Sequence, residues 1–270
     1  MRSITQDDGH LFCRVDQIMQ EVGTIVEIIK KFYSTLGMIN DYWVRLSVRG
    51  PEGKYLGSDE VWEKAEGALR AACEKFDLPF KIGIDEAAFY GPKLDFMFKD
   101  AIGRERQLAT IQCDFNLPVR FDLSFTNEQG EKERPVVIHR AISGSLERFM
   151  GVMIEHFGGA FPLWLAPTQV QIVPVAEKFN DYAFQLKSQL NQLDIRAKVD
   201  DGSDSFSKKI RNAELMKIPY TLIVGEKEQN SDSVSVREFR SKAQYEKSVE
   251  DFIAQLTAER DERKLSSDAL

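Results

Sequence analysis

The chain has 270 residues, of which 43% are hydrophobic and 29% charged, and its formal net charge is −7. This length suits two domains better than one small domain, and the composition is that of a folded globular protein. No apolar run approaches the roughly 18 residues that a membrane-spanning helix needs, and the polar first residues do not resemble a secretory signal. The mild negative charge argues against bulk electrostatic binding of nucleic acid, but it is compatible with RNA recognition through a local basic patch.

The three cysteines, Cys13, Cys73 and Cys113, are far apart in the chain, and no CxxC pair is present. This spacing predicts neither a disulfide framework nor a cysteine-rich zinc site. We therefore expect a cytoplasmic protein in a reducing compartment, without membrane association.

Hydrophobic periodicity predicts the elements of the first part of the chain. Apolar residues at helical spacing predict a helix over 16–36, and Ser58 is a candidate N-cap for a helix over 59–76. Strand-like runs separated by short polar turns predict an antiparallel sheet, and a further helix is predicted over 145–157. The predicted strands are residues 5–13, 44–48, 80–84, 94–99, 107–115, 121–126 and 136–139.

The apolar segment 162–167 carries a proline at each end, which predicts a stiff connector. Beyond it, strands and helices alternate, as is typical of an α/β domain with a mostly parallel sheet. The predicted strands are 170–175, 196–199, 220–224 and 233–239, and the predicted helices are 178–193, 207–216 and 245–260. The fold class is therefore α+β, with domains at 1–161 and 168–262, the connector 162–167 and a tail at 263–270.

The predicted strand 5–13 carries an unusual polar row. With a period of two, Gln6, Asp8, His10 and Phe12 lie on one face, so an amide, a carboxylate and an imidazole are aligned. The two interpretations are a binding site and an ordinary solvent-facing strand.

A second candidate site follows the strand that ends in His139 and Arg140. Gly144 permits a ligand to approach the backbone closely, and the helix that begins after it offers free N–H groups to an anion. Arg148, one turn into that helix, could bind a phosphate. The alternative is that the histidine and the arginines are structural.

Two further segments carry polar side chains. A Gly-Pro bend after Tyr90 holds the phenol in a fixed place, either for a ligand or as an ordinary turn beside a core aromatic. Gln107 and Gln112 are five residues apart, so a regular strand would place them on opposite faces. If both line one pocket, the strand must contain a bulge or a bend between them.

Four segments, in order, resemble motifs of the threonyl-tRNA synthetases, a class II family. They are TQDDGH at 5–10, GSDEVW at 57–62, AFYGPK at 88–93 and HRAISGSLERF at 139–149. The resemblance covers almost the whole chain, and AFYGPK with QDDGH points to the threonine enzymes rather than to their prolyl, seryl or histidyl relatives. It implies the later part of a class II catalytic domain with its antiparallel sheet, followed from residue 168 by an anticodon-binding domain.

The resemblance also implies an activity. Threonine would be activated by ATP, with magnesium, to threonyl-adenylate and then transferred to threonine tRNA. His10 and His139 match two zinc ligands, and the third, a cysteine, is expected upstream of this chain. Matching positions place Asp8, Tyr90 and Gln112 around threonine, and Gln6, Gln107, Thr110 and Arg148 around ATP, with Arg148 and Gln107 expected to be catalytic.

The first class II motif and the main part of the second motif have no counterpart in this sequence. We therefore expect the chain to be inactive alone, and the full-length protein to be a homodimer. A non-catalytic tRNA-binding or regulatory paralogue, and another ATP-dependent amino-acid ligase of the same class, are the alternatives.

The second domain carries candidate RNA-binding residues. Lys208, Lys209 and Arg211 predict either a phosphate-binding cluster or a solvated helix face. Glu228 and Arg237 match positions at which the family reads anticodon bases, and a carboxylate and a guanidinium can each recognise a base edge.

Overall fold

The structure, a computed structural model, describes residues 2–265. The chain forms two compact units, Met1–Met153 and Ile154–Leu270. The last part of the predicted tail, residues 266–270, lies outside the described residues. Over residues 2–265, no helix is both long and apolar enough to cross a membrane.

A six-stranded sheet forms the centre of the first unit. Its strands are Gly9–Cys13 (β1), Tyr42–Val48 (β2), Phe80–Ile84 (β3), Lys93–Lys99 (β4), Glu105–Asp114 (β5) and Val136–Ala141 (β8), and Phe125–Thr126 (β6) and Lys132–Glu133 (β7) form a separate pair. The strand order is β1-β8-β5-β4-β2-β3. The predicted antiparallel arrangement is confirmed for every neighbouring pair except β2 and β3, which are parallel.

The helices of this unit begin where their sequences favour it. They are Ile18–Thr35 (α1), Asp59–Lys75 (α2), Asn116–Arg120 (α3) and Leu146–His156 (α4). The predicted N-cap of α2 is present, since the side chain of Ser58 accepts a hydrogen bond from the Val61 N–H at 3.5 Å. One face of α1 is buried, and its Tyr33 stacks on Phe98 of β4 with ring centroids 3.9 Å apart.

The predicted strand 121–126 is wrong for most of its length. Phe121, Leu123 and Phe125 alternate with polar residues, which mimics the period of a strand. In the structure the Phe121 N–H instead bonds the Leu117 carbonyl at the end of α3, and Asp122 has φ +49°. A left-handed residue cannot belong to an extended strand, so only Phe125–Thr126 pairs.

The second unit contains a five-stranded sheet. Its strands are Val170–Pro174 (β9), Ala197–Val199 (β10), Tyr220–Val224 (β11), Ser233–Glu238 (β12) and Gln244–Ser248 (β13), in the order β10-β9-β11-β12-β13. Strand β9 is parallel to β10 and β11, whereas β12 is antiparallel to β11 and β13. The sheet is therefore mixed, and the predicted mostly parallel arrangement holds only for its β10-β9-β11 half.

Four helices accompany this sheet: Asn180–Gln192 (α5), Phe206–Leu215 (α6), Glu226–Ser231 (α7) and Val249–Asp261 (α8). The short helix α7 was not predicted. The predicted helix 245–260 is wrong at its start, because Tyr245 pairs with Val236 as part of β13. Helix α8 begins later, where the side chain of Ser248 accepts the Asp251 N–H at 3.1 Å.

The predicted connector packs as part of the second unit. Leu163 is buried in the core that α5 and α8 share with the sheet. The guanidinium of Arg196 donates to the carbonyls of Trp164 and Ala166, and the amide of Gln169 donates to the Leu163 carbonyl at 2.8 Å. These bonds fix the segment against β10 and the start of β9.

Candidate functional site

Strand register creates a polar row on one face of the first sheet. His10 pairs with His139, and His139 pairs with Gln112, so their side chains lie side by side across β1, β8 and β5. Thr110, two residues before Gln112, lies on the same face opposite Ala141. The polar row predicted in the first residues thus continues across three strands.

Gln107 and Gln112 lie on the same face because β5 contains a bulge. The register shifts between Phe96 and Met97 of β4, and this leaves Leu108 of β5 without a partner. One extra residue reverses the alternation of side chains, so Gln107 moves to the face of Gln112. The bulge predicted from their spacing is confirmed.

A cavity of about 340 Å³ opens on this face. Its volume lies at the small end of the range for small-molecule sites, roughly 300–1,000 Å³. Every residue predicted to contact threonine or ATP lines it. These residues are Gln6, Asp8, Tyr90, Gln107, Thr110, Gln112 and Arg148.

A possible metal site lies beside this cavity. Donor atoms of Asp8, His10 and His139 all lie within 4.8 Å of one another, and the two imidazole centroids are 4.5 Å apart. Two imidazoles and a carboxylate suit a divalent cation such as zinc. Over residues 2–265, no cysteine joins this cluster.

Asp114 orients one of these histidines, a role that sequence analysis missed. Its buried carboxylate lies 3.1 Å from His139 Nε2, and its other oxygen accepts the N–H groups of Asn116 and Leu117. With Nε2 engaged, Nδ1 is the nitrogen left for a metal ion. The only sequence signal was a carboxylate at the end of an apolar strand.

Tyr90 is held as a neutral hydrogen-bond donor. Burial raises its pKa above the ordinary 10.0, and the negative charges of Asp114 and Asp8 raise the pKa further. The phenol therefore remains protonated at neutral pH and donates to Gln112 Oε1 at 2.5 Å. The predicted bend is present as a bridge between Ala88 and Gly91.

The N–H groups of the turn before α4 are bound within the protein, and the helix predicted to offer free N–H groups has its own first one, that of Leu146, bonded to the Thr5 carbonyl at 2.9 Å. Ile142, Ser143 and Gly144 all donate to the carboxylate of Asp7, at 2.9, 3.0 and 2.9 Å. Asp7 also accepts, through its carbonyl, a bond from Arg140 at 3.0 Å. An internal carboxylate thus binds the three N–H groups of this turn.

Gly144 is needed for a contact within the protein. Its φ is +70°, and a Cβ atom there would lie 2.5 Å from the carbonyl oxygen of Leu108. Because Leu108 is the bulged residue of β5, the bulge and the glycine pack directly against each other. A close approach to Gly144 is thus made by the backbone of β5, and Gly144 also lines the cavity.

The predicted basic cluster in the second unit is not one exposed group. Lys209 is buried and donates to the Asp200 carbonyl at 2.9 Å. Lys208 pairs with Asp204 at 2.8 Å, and Arg211 is exposed. Only Lys208 and Arg211 are therefore accessible to a phosphate.

Glu228 and Arg237 lie near opposite ends of strand β11 in the second sheet. Glu228 follows the carboxyl end of β11 and accepts the Gly225 N–H at 2.9 Å. Arg237 pairs with Thr221 near the amino end of β11, and its guanidinium lies 3.5 Å from Glu214.

Comparison with known families agrees with this arrangement. The profile of the tRNA synthetase class II core domain (G, H, P, S and T) matches residues 1–157, and that of the anticodon binding domain matches residues 169–259. The first match alone covers more than half of the chain, and the chain belongs to the class II aminoacyl-tRNA synthetases.

Within that class, the chain is similar to threonine–tRNA ligases, and the predicted resemblance is confirmed. It is 55% identical over 239 residues to the enzyme of Parabacteroides distasonis and 51% identical over 239 residues to that of Deinococcus radiodurans. Each alignment covers 88% of this chain but only 37% of the relative. The chain therefore spans little more than a third of the length of these curated relatives.

Two solved structures also resemble the chain. The RNA binding domain of threonyl-tRNA synthetase from Cryptosporidium parvum is 36% identical with a TM-score of 0.88, covering 94% of this chain and 64% of that one. A putative threonyl-tRNA synthetase from Aeropyrum pernix is 31% identical with a TM-score of 0.74, covering 96% and 62%.

Proposed function

We propose that this chain is the later part of a threonine–tRNA ligase, which activates threonine with ATP and transfers it to threonine tRNA. The observation that carries the proposal is a single cavity lined by Asp8 and His139 of the possible metal site, by the polar side chains of β5 and by Arg148. An amino acid and a nucleotide would thus lie side by side. The similarity to threonine–tRNA ligases supports the choice of amino acid.

The threonine end of the cavity would be built by Asp8, Tyr90 and Gln112. A zinc ion held by His10 and His139 would bind the amino and hydroxyl groups of threonine, which valine cannot match because it lacks the hydroxyl. Asp8 would accept a hydrogen bond from the amino or hydroxyl group. Tyr90, fixed by Gln112, closes this end of the cavity.

The nucleotide end would be built by Gln6, Gln107, Thr110 and Arg148. Within residues 2–265 the guanidinium of Arg148 makes no hydrogen bond or ion pair, so it is available to the γ-phosphate and would offset its charge beside magnesium. The carboxylate of threonine would attack the α-phosphorus and the bond to the β-phosphate would break, releasing pyrophosphate, so no protein nucleophile is required. The protein would act by positioning both substrates.

Binding of a stable threonyl-adenylate analogue tests this proposal in the chain itself. In the presence of zinc, 5′-O-(threonylsulfamoyl)adenosine should bind at least about tenfold more tightly than the valyl analogue. His139→Ala should remove this preference. Equal binding of the two analogues by the unaltered chain would refute the assignment of threonine, and tRNA binding without analogue binding would favour a non-catalytic protein.

The second unit would bind the anticodon arm. Arg211 and Lys208 would contact phosphates, whereas Glu228 and Arg237 would contact bases. Arg237→Ala should narrow the affinity gap between threonine tRNA and a tRNA with a changed anticodon. Arg211→Ala, the matched control, should weaken both tRNAs alike and reduce the salt dependence of binding. An unchanged gap in Arg237→Ala would show that this arginine is structural.

A further inference from the structure

Asp95 of β4 is completely buried, although it lies one strand away from the candidate nucleotide end of the cavity. It pairs with Thr110 across β4 and β5, so its side chain lies on the same face of the sheet as the polar row. Burial of a carboxylate is costly unless the group is hydrogen-bonded and neutralised. The hydrogen-bond partners of the Asp95 carboxylate therefore indicate its role.

The two oxygens of Asp95 bind different sets of groups. Oδ2 accepts from Ser47 at 3.0 Å and from Arg45 at 3.2 Å, and it also contacts the ammonium of Lys93. Arg45 and Lys93 thus bring positive charge to this oxygen.

The other oxygen, Oδ1, contacts two residues of the cavity wall. It accepts from Gln107 Nε2 at 2.7 Å and from Thr110 Oγ1 at 3.1 Å. A carboxylate can only accept hydrogen bonds, so both neighbours must use their donors on it. The amide of Gln107 therefore cannot turn over without placing oxygen against oxygen.

The free atoms of these two residues are consequently acceptors. No residue within 2–265 donates to Gln107 Oε1, and the lone pairs of the Thr110 hydroxyl are available once its proton is directed at Asp95. We propose that Asp95 is a positioning residue that presents Gln107 and Thr110 to the cavity as hydrogen-bond acceptors, and that they recognise a hydroxyl or amino donor of the bound nucleotide. The identity of the ligand in this inference rests on the proposed function.

Substitution of Asp95 by asparagine tests the inference with little change of shape. The amide of asparagine offers both a donor and an acceptor, so Gln107 would no longer be confined to one orientation. The probes are ATP, 2′-deoxy-ATP, 3′-deoxy-ATP and purine riboside triphosphate, each analogue lacking one donor. In the unaltered chain, at least one analogue should bind about tenfold more weakly than ATP.

Asp95→Asn should reduce the ratio of the affinities for ATP and for that analogue to roughly twofold, because a Gln107 amide free to turn over no longer favours a hydrogen-bond donor of the ligand. Ser47→Ala is the matched control, since it removes a partner of Oδ2 and leaves the contacts of Oδ1 in place. Ser47→Ala should retain the full ratio of affinities between ATP and the analogue. An undiminished ratio in Asp95→Asn, or equal binding of all three analogues and ATP by the unaltered chain, would overturn the inference.

A second measurement separates this inference from the proposed function. In the unaltered chain, nuclear magnetic resonance should show one proton of the Gln107 side-chain amide exchanging slowly with solvent, as expected for its bond to Asp95. This result holds whether or not nucleotides bind, and rapid exchange of both protons would contradict the positioning role. If Asp95→Asn does not fold, Gln107→Met removes the acceptor directly and should abolish the same discrimination.

Discussion

Replacement of Asp7 by alanine should destabilise the first unit strongly. Three backbone N–H groups, those of Ile142, Ser143 and Gly144, would lose their shared acceptor in a half-buried turn. A hydrogen bond to a charged group contributes about 1.5–3 kcal/mol, but three bonds to one carboxylate are not additive. The side chain of Asp7 is 25% exposed. We therefore expect the free energy of unfolding to fall by about 3 kcal/mol in total.

The neighbouring carboxylate provides a matched control. Asp8 has a side chain that is 48% exposed and lies 3.9 Å from His10. No hydrogen bond joins this side chain to the backbone of residues 2–265. Asp8→Ala should therefore change stability by less than about 0.5 kcal/mol. Urea denaturation at neutral pH measures both variants, and it should show a reduced midpoint for Asp7→Ala alone.

Two further observations locate the effect. Amide exchange at residues 142–144 should accelerate in Asp7→Ala, because these N–H groups lose their partner. Formate, a small carboxylate, should restore part of the lost stability by binding in the vacated position. If Asp7→Ala is as stable as Asp8→Ala, the three bonds contribute nothing net and the reasoning is refuted.

Three other outcomes are expected. Asp114→Asn should weaken zinc binding about 10- to 100-fold, because His139 would lose the carboxylate that orients it. Competition with a chelator measures the affinity, and an unchanged affinity would contradict this role. Hydrogen bonds from two arginines and two backbone N–H groups outweigh burial and lower the pKa of Asp100 from 3.8 to about 2. Asp100→Asn should therefore reduce the denaturation midpoint above about pH 4, and the difference should shrink as the pH falls toward 2. A fragment 168–270 should be less stable than 154–270 by about 2 kcal/mol or more, because Arg196 loses its carbonyl partners, and equal denaturation midpoints would refute this.

Local signals in the sequence were sufficient for parts of the fold and the site. Strand 80–84 and strand 220–224 have the predicted bounds, since each is a short segment of strand-forming residues between turns. The bulge followed from the requirement that Gln107 and Gln112 share a pocket. Positions within three of the motifs identified Gln6, Asp8, Tyr90 and Arg148 before any geometry was known, and the strand between the motifs supplied Gln107, Thr110 and Gln112.

Contacts between distant residues could not be predicted in the same way. Asp7 binds residues more than 130 positions away. The period of two places it on the face opposite Asp8, but no residue near it in the chain indicates its partners. Asp95 looked like a residue of an ordinary strand, and its role depends on pairing with β5. Likewise, Tyr245 fits the helical spacing of the residues after it, and only its pairing with β12 makes it part of a strand.

The bulge at Leu108 makes the number of residues in β5 as important as their identity. Deleting one residue between Gln107 and Thr110 would straighten the strand and direct Gln107 to the opposite face, while Thr110 and Gln112 kept their places. Inserting one residue there would also direct Gln107 to the opposite face, because it too shifts the alternation of side chains by one. Alignments of related chains should therefore contain no gap at this point, whichever apolar side chain occupies position 108, and a relative that has one must bind its nucleotide with a different residue.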